Sequence, residues 1–374
     1  MPIDLPHEEA SAWLTLLRAP GIGAMGLREL IGRYGSAAAV VSHARSESRI
    51  PEAARAWLAA PDAAMLERDL VWLERSDHHL IVWGGDDYPP LLRNVHNAPA
   101  ALFVRGDPTH LWSPQIAIVG ARSASAGGLT NARSFARAFV QAGNAITSGL
   151  AEGIDGAAHT AALDAGGATI AVLGTGADLI YPRQHEDLAT RIAARGALVS
   201  EFPPGTAGKP EHFPRRNRII AGLSLGTLVI EASVNSGSLI TARMAAEQGR
   251  EVFALPGSIH SPLARGCHRL IRDGAKLIET ADEVLNELHG MGAALADGLR
   301  QRLALPEASM RDVPSSHAAD PDYARLLAAM TAAPVALDEL VARTGLSAAA
   351  LSSMLLVLEL DGAIVSENGR YAQR

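Results

Sequence analysis

Three textures of apolar and polar positions follow one another along the chain. From residue 1 to about 85 the apolar residues recur at helical spacing, first in SAWLTLLRAPGIGAMGLRELIGRYGS and then in EAARAWLAAPDAAMLERDLVWLER, with few strand signals. From about 115 to 288 the pattern changes to short apolar runs: IAIVGA, AITSG, TIAVLG, ALVSEF, TLVIEA and EVFALPG. Each ends in glycine, proline or small residues, and most lead into an amphipathic helical stretch. Strands that alternate with helices pair in parallel through crossover connections. The expected fold class is therefore α/β, an extended Rossmann-like doubly wound sheet over 86–288, preceded by a helical domain over 1–85. Ligands of such sheets bind at the carboxyl ends of the strands.

Periodicity fades over 289–320, which reads as a linker. Residues 321–374 then spell three helices, a turn at Arg343-Thr344-Gly345 and a small hairpin around Asn368 and Gly369, the order of a winged-helix-like domain. Its second helical stretch, SAAALSSMLLVLELDG, has no Lys or Arg and carries Glu359 and Asp361. A helix that reads the major groove presents basic or polar groups, so this domain is expected to contact protein.

Composition narrows the class. A chain of 374 residues, 48% hydrophobic and 20% charged, buries a large core and accommodates two or three domains. The single cysteine, Cys267, has no intramolecular disulfide partner and points to the cytoplasm. The start, MPIDLPHEEA, lacks the basic-then-apolar pattern of a secretory signal. No apolar run approaches the roughly 20 residues of a membrane span, so no membrane role is expected. A net charge of -7 speaks against a general polyanion-coating protein, but not against a local basic groove.

Several glycine motifs fail their structural tests. GIGAMG at 21–26 follows a helix rather than a strand, so it is no dinucleotide fingerprint. It reads as a turn between helices, either a plain packing turn or a helix-hairpin-helix whose amides contact phosphate. GTGADL at 174–179 has leucine at the third glycine position, and GTAGKP at 205–210 is too short for a phosphate-binding P-loop. No cofactor is expected. Asp155 and His159, four residues apart in SGLAEGIDGAAHT, have the spacing of a base and its orienting partner, but no nucleophile elbow or metal triad accompanies them. Helix capping or packing accounts for them better. Neither catalytic nor metal-binding residues are assigned.

Anion chemistry is richer. Gly120 and Arg122 close the strand IAIVGA, Ser148 and Gly149 close AITSG, and Ser236, Gly237, Ser238 and Thr241 follow TLVIEA at a helix start. Glycine backbone, hydroxyls and helix-start amides all suit phosphate. Between Lys209 and Arg218 stand four cations against one carboxylate, Glu211. There Phe213 adds a ring to Arg215, Arg216, Asn217 and Arg218. Aromatic face beside guanidinium suits an unpaired strand, whose bases stack while its phosphates meet cations. Pairing with Glu201, Glu211 or Glu231 would account for one or two of these arginines, not all three. Arg216→Ala is expected to lower the salt dependence of binding by about one unit of slope.

In order along the chain, VGAR (119–122), SGLAEGID (148–155), FPRRNRIIAGLS (213–224), SGSLITA (236–242), GREVFALPG (249–257) and GCHRLIRDGA (266–275) resemble the central domain of the DNA processing protein A family (DprA/Smf). The resemblance covers the whole α/β region, and the flanking domains fit members that carry both. It implies a cytosolic, non-enzymatic protein that binds single-stranded DNA, forms a homodimer and helps to load a RecA-type recombinase during natural transformation. It assigns Arg122, Phe213, Arg216 and Arg218 to the DNA pocket. Lys209 is the nearest equivalent of a lysine used by some relatives. The rival expectation is a hydrolase of nucleotide-like small molecules, because the central fold is similar to that of cytokinin-activating phosphoribohydrolases. Their PGGxGTxxE motif is absent, although Glu231 stands after a strand as its carboxylate would.

Overall fold

The structure, a computed structural model, describes residues 5–44 and 47–302 and, further on, 321–330, 335–348, 350, 351, 354, 355, 358, 364–367 and 370–373. The chain divides into two units, Met1–Leu303 and Ala304–Arg374.

In the first unit, five helices come first: α1 (His7–Arg18), α2 (Ala24–Tyr34), α3 (Ala37–His43), α4 (Glu52–Ala59) and α5 (Ala63–Leu73). Their apolar stripes meet around Trp13, Leu16, Leu27, Leu30, Val40 and Ile50. GIGAMG is the turn between α1 and α2. The helical texture gives way after Leu73. A five-residue strand, β1 (His78–Val82), pairs antiparallel with β2 (Ala101–Gly106), and the short helix α6 (Pro90–Arg93) lies between them. HHLIV alternates too briefly to register against the long helices before it. The helices pack directly on these strands, with Ala100 and Ala101 in the same core and Trp72 edge-on to Phe103 at 5.9 Å.

The apolar runs of the middle region are strands: β3 (Gln115–Gly120), β4 (Ala145–Ser148), β5 (Thr169–Leu173), β6 (Ala197–Ser200), β7 (Gly226–Glu231), β8 (Glu251–Ala254) and β9 (Lys276–Leu277). The nine strands lie in the order β1-β2-β6-β5-β4-β3-β7-β8-β9. Pairing from β6 to β9 is parallel, and β1 and β2 extend that sheet antiparallel, Phe103 facing Ser200. Crossovers are made by α7 (Ala126–Gln141), α8 (Ile154–Asp164), α9 (Glu186–Arg195), α10 (His212–Leu223), α11 (Ser238–Glu247) and α12 (Arg265–Arg272). Both sheet faces are covered, which is why the strands are apolar throughout rather than alternating. A last helix, α13 (Ala281–Arg302), buries Val284 and Leu288. Residues 289–302, read above as linker, are therefore helical. Three glycines, at 290, 292 and 298, break up the apolar period that would have marked the helix. Residues 303–320, the remainder of that stretch, lie outside the described residues.

Arg18 ties the helical front to the loop beyond β6. Its Nε–H meets buried Asp69 at 2.5 Å, and Nη2–H donates to the Pro204 carbonyl at 2.8 Å.

The second unit contains α14 (Pro321–Ala329), β10 (Val335–Ala336), α15 (Leu337–Thr344), β11 (Ile364–Glu367) and β12 (Arg370–Gln373). The strands form an antiparallel sheet in the order β10-β12-β11 over a core that includes Leu326, Leu340, Leu351 and Ile364. Glu367 faces Arg370 across the hairpin. Asn368 and Gly369, and most of SAAALSSMLLVLELDG with Glu359 and Asp361, lie outside the described residues. The fold is thus an extended Rossmann-like α/β domain with a helical N-terminal part and a winged-helix C-terminal unit. Among the described residues no helix is long and apolar enough to cross a membrane.

His159 and Asp155 do not form a pair. His159 is buried, and its ring Nδ1 lies 2.7 Å from Thr169 Oγ1, whose hydroxyl donates to the Ile146 carbonyl, so Nδ1 carries the proton. Nε2 has no partner. Burial, with smaller contributions from His185 and Arg216, lowers the imidazole to about 3. The unfolded chain takes up a proton there below about 6.5 and the folded chain does not, so stability falls as pH drops from about 6.5 towards 3, by about 1.4 kcal/mol per pH unit. His159→Asn retains a donor and removes the titration. Urea midpoints measured from pH 7 to pH 5 are expected to fall less for the variant than for the wild type.

Candidate nucleic-acid interface

β3 has β4 on one side and β7 on the other, and the chain reaches β7 from β6 through α10. Strand order reverses between β3 and β7. Outside their carboxyl ends the two βα connections splay apart, which opens a crevice. Here it is a cleft of about 540 Å³ whose lining includes Gly120, Arg122, Tyr181, Phe213, Arg216 and Thr241.

Two side chains far apart in the chain meet at its rim. The Arg122 guanidinium carbon lies 6.0 Å from the centroid of the Phe213 ring, within cation–π range. Phe213 stands in the first turn of α10 and rests against Gly174, where a Cβ would come within 2.9 Å of the ring. Gly174 of GTGADL thus supplies a flat seat for an aromatic ring. Tyr181, 53% exposed, adds a second ring 5.3 Å from the first. No motif singled out Tyr181. An aromatic residue beside proline after a strand-end loop is too common a signal.

Arg216 forms the floor rather than the rim. Only 5% exposed, it donates from Nη1 to the carbonyls of Gly149, at 2.8 Å, and Val172, and from Nε to Asn217 Oδ1 at 2.8 Å. The guanidinium lies against Gly149, where any side chain would collide with it at 2.4 Å. Asp155 sits behind, accepting from the Gly149 amide at 3.0 Å and the Ala151 amide at 3.4 Å. Burial draws the arginine down to about 10, opposed by attraction to Asp155, and the same burial raises the Asp155 carboxyl. The arginine remains charged at neutral pH, with Asp155 as its counter-charge beneath the cleft.

The other expected residues divide. Asn217 donates to the Gly237 carbonyl at 3.4 Å and joins Arg216 to the β7–α11 turn. Gly237, Ser236 and Ser238 line the opposite wall, the two hydroxyls sharing a 2.7 Å hydrogen bond. The amides of Ser238, Leu239 and Ile240 are occupied by Ser236 and Gly237, so hydroxyls rather than helix-start amides face the cleft there. Gly120 borders the cleft, but its missing side chain makes room for Ile154, 2.6 Å from a would-be Cβ.

Five of the expected residues lie elsewhere. Arg218 is buried against Glu201, and Arg215, half exposed, approaches the same carboxylate at 3.0 Å while lying over the Phe202 ring. Glu201 thus draws Arg215 and Arg218 away from the cleft, while the third arginine, Arg216, is attracted to Asp155. The Ser148 hydroxyl turns inward to the Ile118 carbonyl at 2.6 Å, and Gly149 offers its carbonyl to Arg216. Lys209 is exposed, but its neighbour Pro210, not Lys209, lines the cleft. Glu231, the carboxylate of the hydrolase reading, accepts from the Ser125 amide at 2.9 Å and hydroxyl at 2.6 Å and so fixes the start of α7.

Comparison with known proteins places this arrangement. A family model described as DNA recombination-mediator protein A matches residues 79–289, a DprA-like N-terminal HHH domain matches 7–64, and a DprA winged helix domain matches 310–370. Protein Smf of Escherichia coli K12 is 44% identical over 309 residues, 82% of this chain and 80% of that protein. DNA processing protein DprA of Streptococcus pneumoniae R6 is 48% identical over 204 residues, 54% of this chain and 71% of that protein. Among solved structures, DprA from Streptococcus pneumoniae superposes with a TM-score of 0.67 at 37% identity, covering 74% of this chain and 97% of that one. DNA processing protein A from Helicobacter pylori, described for its single-stranded DNA binding mode, gives 0.52 at 26% identity, with 57% and 96% covered.

Proposed function

Because the chain belongs to the DNA recombination-mediator protein A family, we propose that it binds single-stranded DNA in the cleft between β3 and β7. It acts there as a non-catalytic mediator, a cytoplasmic homodimer that passes the strand to a RecA-type recombinase during natural transformation. The observation that carries this reading is the meeting of Arg122 with Phe213 beside Tyr181 at one rim. Rings stack exposed bases of any sequence, a guanidinium within reach holds the neighbouring phosphate, and duplex DNA keeps its bases stacked on one another. Ser236 and Ser238 offer hydroxyls to the backbone from the same cleft, and Arg216, balanced by Asp155, holds its floor in place. The Helicobacter pylori relative, described for its single-stranded DNA binding, supports the same ligand class. The hydrolase alternative loses support because Glu231 is committed to Ser125.

The test is a binding titration with single-stranded and duplex oligonucleotides of equal length across salt concentrations. Single strands are expected to bind more tightly, with a linear fall of log affinity against log salt of about 0.7 for each phosphate engaged. Equal or tighter binding of duplex would overturn the proposal.

A further inference from the structure

Beyond the cleft, and resting on the reading just given, the surface continues. Arg122 also lines a second groove of about 580 Å³, bordered by α7, α8 and α9. The first cleft is poor in accessible charge: Arg215 and Arg218 turn to Glu201, Arg216 is buried, and Arg122 is left as its exposed cation. A polynucleotide brings one negative charge per nucleotide, so a strand longer than the cleft has to find its cations elsewhere.

The second groove has them. Arg133, exposed on α7, makes no ion pair among the described residues. Arg191, on α9, is half exposed and uses Nη2 on Asp164 at 2.6 Å. His185 lies against Gly156, where a Cβ would come 2.9 Å from its Cε1, and its Nδ1 is 3.0 Å from the Leu150 carbonyl, which holds the ring at the groove's edge. Against these stands one lining carboxylate, Asp187; Glu152 nearby accepts from Gln184 at 2.6 Å. Arg122 lines both grooves, and it and Arg133, two exposed guanidinium groups that make no ion pair among the described residues, suit a phosphate backbone better than a neutral or cationic peptide.

We propose that a single strand leaving the Phe213 cleft crosses Arg122 and continues through this second groove, with its next phosphates against Arg133 and Arg191. The proposal concerns the path and footprint of the ligand, and length dependence reads it. Fluorescence anisotropy would compare labelled oligodeoxythymidylates of about 4 and about 15 nucleotides, a span typical of single-strand sites. Arg133→Ala is expected to leave the short oligonucleotide unaffected and to weaken the long one several-fold, with the salt slope lowered by about 0.7. Arg133→Lys should restore the slope, and Asp187→Asn should tighten the long oligonucleotide alone. Unchanged thermal midpoints check that the exposed substitutions spare the fold. If Arg133→Ala binds both lengths as the wild type does, or weakens both equally, the second groove is not the path, while loss of both lengths in Phe213→Ala would still uphold the cleft. Failure of the wild type to bind either length would overturn both readings.

Discussion

Phe213→Ala is expected to weaken binding of a short single-stranded oligonucleotide by about 10- to 100-fold at fixed salt, corresponding to the 1–3 kcal/mol that one base–aromatic stack contributes. Because the ring is uncharged, the salt slope should stay where it is. Arg122→Ala separates the other half of the same rim: its loss removes a phosphate contact, so affinity falls most at low salt and the slope decreases by about 0.7. Phe213→Leu, which keeps an apolar side chain on Gly174 without a stacking face, is expected to resemble the alanine variant. Gly174→Ala, 2.9 Å from the ring, should displace Phe213 and weaken binding without touching any residue of the rim itself. Anisotropy titrations at three salt concentrations check the set. Retention of wild-type affinity by both Phe213→Ala and Arg122→Ala would place the ligand elsewhere.

The second large effect is on folding. Arg216→Ala leaves the carbonyls of Gly149 and Val172 without their donor and Asp155 buried without its counter-charge. Removing one partner from a buried charge pair costs about 3–5 kcal/mol. Arg216→Lys should recover only part of it, since an ammonium cannot reproduce the planar fork that serves Gly149 and Asn217 together. Urea denaturation reads the loss directly. A binding defect in Arg216→Ala is therefore not by itself evidence of a phosphate contact, in contrast to the simple slope change expected from sequence. A midpoint close to that of the wild type would show that the floor tolerates the loss.

What could be read ahead of the structure follows from how far each signal is local. The parallel strands were legible because both faces of the sheet are covered, so IAIVGA and TLVIEA stay apolar without interruption. β1 was not, since its pairing with β2 lies outside its own five residues. At the site, Arg122 and Phe213 stand 6.0 Å apart though far apart in the chain, yet charge alone could not tell an accessible arginine from a buried one. Helix geometry would have helped. Once α10 is known to begin at His212, Arg215 and Arg218 fall about 60° apart around its axis and Arg216 about 100° from the first, so a single acid can serve two while the third points elsewhere. Tyr181 joins the cleft and Gly174 seats the Phe213 ring through tertiary packing alone, and no pattern in GTGADLIYP marks them.

The bond from Arg18 to Pro204 gives the front of the molecule a mechanical part in what happens at the aromatic ring. The loop it holds runs on through Thr206, which receives the Gly176 amide, and through Gly205, whose amide is held by Asp178; both pegs pin the segment that ends at Tyr181. The leading helices thus serve as a splint for that segment. A chimera carrying another front end would have to reproduce Arg18 and Asp69 before its rings could be held in place, whatever its own helices did.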